Sequence, residues 1–372
     1  MHLDNFFEQL QRQFDSELPF VAYRKPNEAT IKALLQNDMT LHEVSDYTEN
    51  GFVFAPFDTE QKAVLIPYSS SKAFKSEFIK SNDSFKSKNF NSDNSSGRQF
   101  HMTLVQKGID AIANGEFQKV VLSRKESVEI DETNPISIFK NLLNTYETAL
   151  VYCFYHPSVG LWLGATPETL LKIDGLKLIT MALAGTQKYR GTTDVVWHQK
   201  ETDEQQFVTD FIVKNLQSSA ETVQLSETKT VKAGNLLHLQ TEINANFKRD
   251  SLNLKQLLGN LHPTPAVCGF PKNEAKQFIL QTENYNREFY TGFLGELNLK
   301  ERTSRNSNRH NVENDAYASI KTVTNLYVNL RCMQLKDKQA FIYVGGGITK
   351  DSIPENEWEE TVSKSQVIKS IL

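Results

Sequence analysis

The sequence predicts an α+β fold, with strands and helices arranged in groups. Short apolar runs of strand length recur along the chain, at 20–23, 51–55, 63–66, 150–155 and 161–165. Amphipathic segments of helix length stand among them, at 3–14, 100–114, 136–145, 199–217 and 272–282. The two kinds do not alternate one for one, as a doubly wound α/β sheet would require.

Taken in order, residues 3–14 put Leu3, Phe6, Phe7 and Leu10 on one side of a helix. Residues 69–97 are rich in Ser, Lys and Asn and read as a partly mobile connection with room for one short helix. The helix at 100–114 stops at Gly115. A strand follows at 119–125, then a helix at 136–145. Further strands are expected at 150–155, 161–165, 170–173 and 177–181, and closing strands at 323–332 and 340–344. A last helix starts near 354. The polar stretch 300–315 reads as a long surface loop between two strands.

Composition bounds the function. The chain has 372 residues, 39% hydrophobic and 23% charged, which is the balance of a soluble globular protein with a large core. A net charge of -4 gives no basic excess for nucleic acid or an anionic membrane, though a small anionic substrate remains possible. Cys153, Cys268 and Cys332 are far apart and odd in number, so neither a disulfide framework nor a zinc knuckle is expected. The N-terminal stretch is interrupted by Asp4, Glu8 and Arg12, and no apolar run is long enough to span a bilayer. These features predict a cytoplasmic protein with no membrane and no nucleic-acid partner.

Eight short features can carry chemistry. Lys119 sits in an apolar strand, where desolvation would favour a neutral amine able to act as a base. Glu168 lies on the turn Thr166-Pro167-Glu168 between two strands, where burial would keep a carboxyl protonated and able to donate. Gly185-Thr186 form a turn that can offer N–H groups and a hydroxyl to an anion. Glu201 and Glu204 share one helix face, and Glu357 and Glu360 share another. Two such carboxylate pairs suit a hard cation such as Mg²⁺, and no His-rich site invites zinc. Gly345-Gly346-Gly347 follow a strand and let backbone approach a ligand. The loop 261–269 is stiffened by two prolines and could wall a pocket. Arg331, at the end of the strand 326–330, could clamp a carboxylate. Taken alone, most of these segments read more readily as a surface charge, a plain turn or a solvated helix face.

Together and in this order, the stretches KVVLSR, TPETLL, ALAGTQKYRG, KETDEQ, HLQTEI, LHPTPAVCGFP, ENYNREFYTGFLGELN, NLRCMQL and IYVGGGITKDSIPENEWEET resemble the chorismate-utilising enzymes. That family includes isochorismate synthases, salicylate synthases and the large subunits of anthranilate and aminodeoxychorismate synthases. The resemblance covers about 99–372, which it implies is the chorismate-binding catalytic domain; residues 1–98 would be a variable N-terminal portion of the same fold. It implies a large fold of mainly antiparallel sheets with helices packed outside.

It also implies roles. Lys119 would be the general base and Glu168 the general acid. Glu204 and Glu360 would be the main Mg²⁺ ligands, with Glu201 and Glu357 beside them or bound through water. Gly185, Thr186, His262, Ala266, Arg331, Tyr343, Gly345 and Lys364 would bind substrate. Within the family the loop HPTPAVCG resembles isochorismate synthases. Salicylate synthases tend to carry threonine at the position of Ala266, and aminating members lack this lysine as base. The expected activity is therefore the Mg²⁺-dependent isomerisation of chorismate to isochorismate, for menaquinone or siderophore biosynthesis. A monomer without a glutaminase subunit is expected. Salicylate synthesis and a catalytically silent chorismate-binding relative are the alternatives. Nucleotide binding at the triple glycine is not expected, because G-x-G-x-x-G is not met.

Overall fold

Every residue of the strand Phe20–Arg24 is buried. Phe20 and Ala22 enter one apolar cluster, and Val21 and Tyr23 enter another. The strand Gly51–Ala55 behaves alike: Phe52 and Phe54 share the cluster of Val21 and Tyr23, while Val53 and Ala55 face a third. A period of two thus sorts continuous apolar runs onto two buried faces. Such strands need a layer on each side, and helices supply the outer ones.

The computed structural model describes residues 1–80, 95–130, 134–233, 236–248, 251–303 and 319–372. Seven helices lie among them: α1 (Leu3–Asp15), α2 (Ser95–Ala113), α3 (Pro135–Thr145), α4 (Gln199–Gln217), α5 (Leu254–Leu261), α6 (Lys272–Thr282) and α7 (Pro354–Lys369). The described strands form two sheets. The nine-stranded sheet runs Gly269–Phe270, Lys119–Glu129, Gln339–Ile348, Cys332–Lys336, Gly160–Thr166, Leu150–His156, Phe20–Arg24, Thr30–Gln36, Ser71–Glu77. The ten-stranded sheet runs Thr222–Leu225, Leu236–Asn246, Lys177–Lys188, Thr169–Asp174, Ser319–Val328, Phe293–Thr303, Gly51–Ala55, Val64–Pro67, His42–Glu43, with Lys229–Ala233 also paired to Leu236–Asn246. The pairings are antiparallel.

The sheets face each other across an aromatic core of Tyr23, Phe52, Phe54, Tyr152, Trp162, Tyr327 and Tyr343. Burying one such ring contributes on the order of 2–3 kcal/mol. Residues of α1, α3 and the end of α7 cover the outer face of the first sheet, and those of α4 and α5 cover the second. This is the expected α+β architecture of antiparallel sheets with helices outside.

The helix boundaries have local causes. The Asn134 side chain accepts from the Ile136 N–H at 2.9 Å, with Pro135 at the first helical position of α3. Gly115 takes φ +80 just past the end of α2.

Several expectations need correction. Residues 71–77, expected in a loose connection, form a strand whose partner Thr30–Gln36 gives their backbone a ladder. The closing strand expected at 323–332 is two strands in different sheets, Ser319–Val328 and Cys332–Lys336. Arg331 lies on the crossover between them with φ +48, a turn that ends the first ladder. Gly185-Thr186 are not a turn but an irregularity inside Lys177–Lys188, where the register against Leu236–Asn246 shifts. The triple glycine is not a loop after a strand: Gly345, Gly346 and Gly347 pair with Ser123, Leu122 and Val121. The expected loop at 300–315 falls mostly outside the described residues.

Candidate active site

The Lys119 side chain is wholly buried at the start of the strand Lys119–Glu129. Its Nζ lies 2.8 Å from Oε1 of Glu204 on α4. The two form a buried ion pair. Gly347, on the adjacent strand, makes this meeting possible. A Cβ there would stand 2.3 Å from Glu204 Oε1 and 3.2 Å from Lys119 Cε, closer than packing allows. A Cβ on Gly346 would stand 3.5 Å from Glu357 Oε2 and 3.6 Å from Glu360 Oε1. The glycines therefore form a bare strip over which the carboxylates of α4 and α7 gather.

Each of these three carboxylates has a lysine. Lys119 meets Glu204, Lys200 meets Glu357 at 2.5 Å, and Lys364 meets Glu360 at 2.7 Å while also donating to the Gly345 carbonyl at 2.8 Å. Burial alone would raise the Glu204 carboxyl, but Lys119, Lys200 and Lys364 outweigh it and hold it below the ordinary range. Glu357 moves the other way: burial raises it, Lys200 opposes, and repulsion from Glu360 adds to the rise.

Glu168 lies on the turn between Gly160–Thr166 and Thr169–Asp174. Its carbonyl accepts from the Val328 N–H at 3.0 Å, which fixes the turn to the second sheet. The side chain is 5% exposed, and burial pushes its carboxyl up to about 8, although Lys119, Arg331 and Lys364 pull it down. It thus keeps its proton at neutral pH. Arg331 Nη2 lies 3.1 Å from Nε2 of His238, whose Nδ1 lies 2.8 Å from the Gly185 carbonyl. Burial and the Arg331 charge push His238 down to about 3, so it is neutral. With Nδ1–H given to Gly185, its Nε2 accepts from Arg331.

A cavity of about 110 Å³ opens among these groups. It brings together Glu168, Glu204 and Glu360 with Gly185, Thr186, Ala266, Arg331, Tyr343, Gly345 and Lys364. Two larger grooves, of about 1410 and 1150 Å³, border none of the residues singled out from the sequence.

Four of those residues do not line the cavity: Lys119, Glu201, Glu357 and His262. His262 is buried elsewhere: its Nε2 lies 3.3 Å from the Pro56 carbonyl and its ring meets Phe293 edge-on at 5.0 Å. Glu201 turns back on its own helix and accepts from the His198 N–H at 3.1 Å, which satisfies an otherwise unpaired N-terminal donor of α4. Glu357 lies behind the cavity wall with Lys200. His238, Tyr290 and Lys200 had no role assigned from sequence. His238 was legible as the lone histidine in the apolar start of the strand Leu236–Asn246; nothing local marked Tyr290 or Lys200.

The donors fit a hard divalent cation in kind: Glu204, Glu357 and Glu360 offer only oxygen and share one strip of backbone. The mutual repulsion that raises Glu357 is what a cation would relieve. Among the described residues no three such side chains converge on one point, because each is drawn towards its lysine. A cation there requires the carboxylates to turn from those lysines.

Comparison with known proteins agrees with this architecture. A family described as "Chorismate binding enzyme" matches residues 47–304, and a second of the same description matches 317–370. Isochorismate synthase MenF of Pasteurella multocida is 30% identical over 281 residues, which are 72% of this chain and 60% of that protein. Isochorismate synthase DhbC of Bacillus subtilis is 28% identical over 70% of this chain and 64% of its own length. Anthranilate synthase component 1 of Aquifex aeolicus is 26% identical over 71% of this chain and 51% of its own. The chain thus spans less than two thirds of the length of these relatives. Among solved structures, DhbC from Bacillus anthracis has a TM-score of 0.77 at 21% identity, covering 98% of this chain and 99% of its own. The menaquinone-specific isochorismate synthase MenF from Escherichia coli has a TM-score of 0.73 at 19% identity, covering 95% and 88%. Those structural matches establish a shared fold, and the sequence match over 47–304 goes further: the chain belongs to the chorismate-binding enzyme family.

Proposed function

We propose that this chain isomerises chorismate to isochorismate with Mg²⁺. The observation that carries the reading is Glu168, a buried carboxyl that holds its proton to about pH 8 within electrostatic reach of Lys119, Arg331 and Lys364. An acid that is protonated at neutral pH beside a buried amine is the pairing that acid–base catalysis on one ring needs. The relatives named isochorismate synthases support it.

In this reading Lys119 removes a proton from water as the water oxygen bonds to C2 of the ring. The double bonds shift, the C4–O bond breaks, and Glu168 gives its proton to the departing hydroxyl, which leaves as water. The proton gained by Lys119 and the one lost by Glu168 are restored by exchange with solvent. Base catalysis also requires Glu204 to be engaged away from Lys119, since their contact joins an ammonium to a carboxylate. Arg331 and Lys364 would hold the enolpyruvyl carboxylate, with His238 fixing the guanidinium. Thr186, Tyr343 and Ala266 would shape the ring's pocket. Glu204 and Glu360, with Glu357 beside them, would hold Mg²⁺, which when bound supplies positive charge against the ring carboxylate.

The chain would act in the cytoplasm as a monomer without a glutaminase subunit, and its product would enter menaquinone or siderophore biosynthesis. Among the described residues no helix is long and apolar enough to cross a membrane. The test is product analysis of purified protein with chorismate and Mg²⁺. Isochorismate is expected. Salicylate with pyruvate as the main products would move the chain to the sibling activity, and no turnover with retained chorismate binding would make it a silent relative.

A further inference from the structure

The strand Lys119–Glu129 has a strand partner on one side along Val120–Glu129, but on the other side only the two residues Gly269 and Phe270, opposite Val120 and Lys119. One more bond, from the Val121 N–H to the Cys268 carbonyl at 2.8 Å, extends that side. Beyond it the Val121 carbonyl and the Ser123 N–H face inward with no ladder to join. Unpaired buried backbone groups are costly. Here two side chains take the place of the missing strand. Arg287 Nη2 donates to the Val121 carbonyl at 2.7 Å, and Glu283 Oε1 accepts from the Ser123 N–H at 2.8 Å.

The same pair reaches the pocket's other wall. Arg287 Nη1 donates to the Val267 carbonyl at 3.0 Å and to Thr291 Oγ1 at 3.3 Å, while Nε and Nη2 bond the two oxygens of Glu283 at 2.8 and 2.6 Å. All five N–H donors of the guanidinium are used, and both side chains are 2% exposed. Val121 and Ala266 both line the cavity. Val121 is two residues from Lys119, on the same face of its strand. Val267 directly follows Ala266. One guanidinium therefore sets the spacing between the strand that carries Lys119 and the loop that carries Ala266.

We infer that Glu283 and Arg287 are positioning residues for the reaction, acting as a side-chain splice that holds the Lys119 strand and the Ala266 loop at the spacing the substrate ring requires. The inference rests on the reading under Proposed function. Lysine at 287 keeps the charge and can meet Glu283, but its single ammonium cannot reach both carbonyls in the fork geometry.

The test is steady-state kinetics of full-length Arg287→Lys and Ser123→Ala with chorismate and Mg²⁺. Ser123→Ala removes the bonds of Ser123 Oγ to Glu283 Oε1 at 2.8 Å and to the Tyr285 hydroxyl at 2.7 Å, and leaves the Arg287–Glu283 ion pair in place. A loss of folded protein lowers kcat and leaves KM alone, whereas misplaced pocket walls move both. For Arg287→Lys we expect kcat to fall about tenfold or more and KM to rise about threefold or more, with the same direction and smaller size for Ser123→Ala. Parental KM in both variants overturns the inference. If Arg287→Lys does not fold, Ser123→Ala decides by the same criterion. If the parent itself does not turn over chorismate, it is the reaction that fails. Amide exchange at Ser123 then decides the splice: protection in the parent with about tenfold faster exchange in a folded variant supports it, and parental exchange overturns it.

Discussion

Replacing Glu168 by glutamine separates the cost of keeping a proton from the benefit of donating it. Burial pushes the Glu168 carboxyl up to about 8 from an ordinary 4.5. In the unfolded chain this group ionises above about pH 4.5, whereas in the fold it stays protonated to about pH 8. Between those values folding must take up a proton, so stability falls as pH rises. Below the window both states are protonated and nothing is lost. One pKa unit corresponds to about 1.4 kcal/mol, so the cost is about 3 kcal/mol at pH 7 and about 1 kcal/mol at pH 5. Glutamine has the same shape and needs no proton. Glu168→Gln is therefore expected to stabilise the ligand-free chain by about 3 kcal/mol at pH 7 and about 1 kcal/mol at pH 5, while lowering turnover by about 10²–10⁴-fold. Urea denaturation at both pH values and initial rates with chorismate measure the two effects. Equal stability of variant and parent at pH 7, or a gain that ignores pH, would refute the assignment of a protonated carboxyl at this position.

Lys119→Ala should lose at least about a hundredfold in turnover while chorismate still binds by calorimetry; wild-type-like rates would count against its role as base. Glu204→Gln should raise the Mg²⁺ concentration needed for half-maximal activity by about tenfold or more, and an unchanged metal dependence would remove it from the metal ligands. Gly347→Ala should displace both Glu204 and Lys119, since its methyl would fall 2.3 Å from the Glu204 carboxylate and 3.2 Å from Lys119 Cε, and reduce turnover at least about tenfold. A fully active Gly347→Ala enzyme would show that the bare glycine strip is not needed.

The parts of the fold that were legible in the sequence are those with local punctuation. The bounds 199–217 and 272–282 coincide with α4 and α6, the latter preceded by Pro271. The strand Thr30–Gln36, read as no element, mixes polar and apolar residues because its pattern answers to two sheet neighbours and to the sandwich core. The helix α5 was passed over although Asn253 caps it, with its side chain accepting from the Gln256 N–H at 3.0 Å. Glycines at 345–347 suggested a loop because glycine weakens a strand. Their place in one is explained only by the carboxylates of α4 and α7, which lie far away in sequence.

The same limit applies to the site. Arg331 and Lys364 could be placed beside Glu168 through the family's motif order, and the structure brings all three to one cavity. His262 was drawn into the site by its neighbours on the loop, yet its own ring packs against Phe293 and a carbonyl from residue 56. Lys200 counterbalances Glu357 across 157 residues, a pairing that no local pattern announces.

The most direct measurement is chorismate turnover in ¹⁸O-water with Mg²⁺, followed by mass spectrometry of the product. If residue 119 draws the nucleophile from solvent while residue 168 releases the old hydroxyl, isochorismate carries one ¹⁸O at C2, and Lys119→Ala and Glu168→Gln both slow its appearance. Unlabelled isochorismate, or labelling at the parental rate in both variants, would contradict the account.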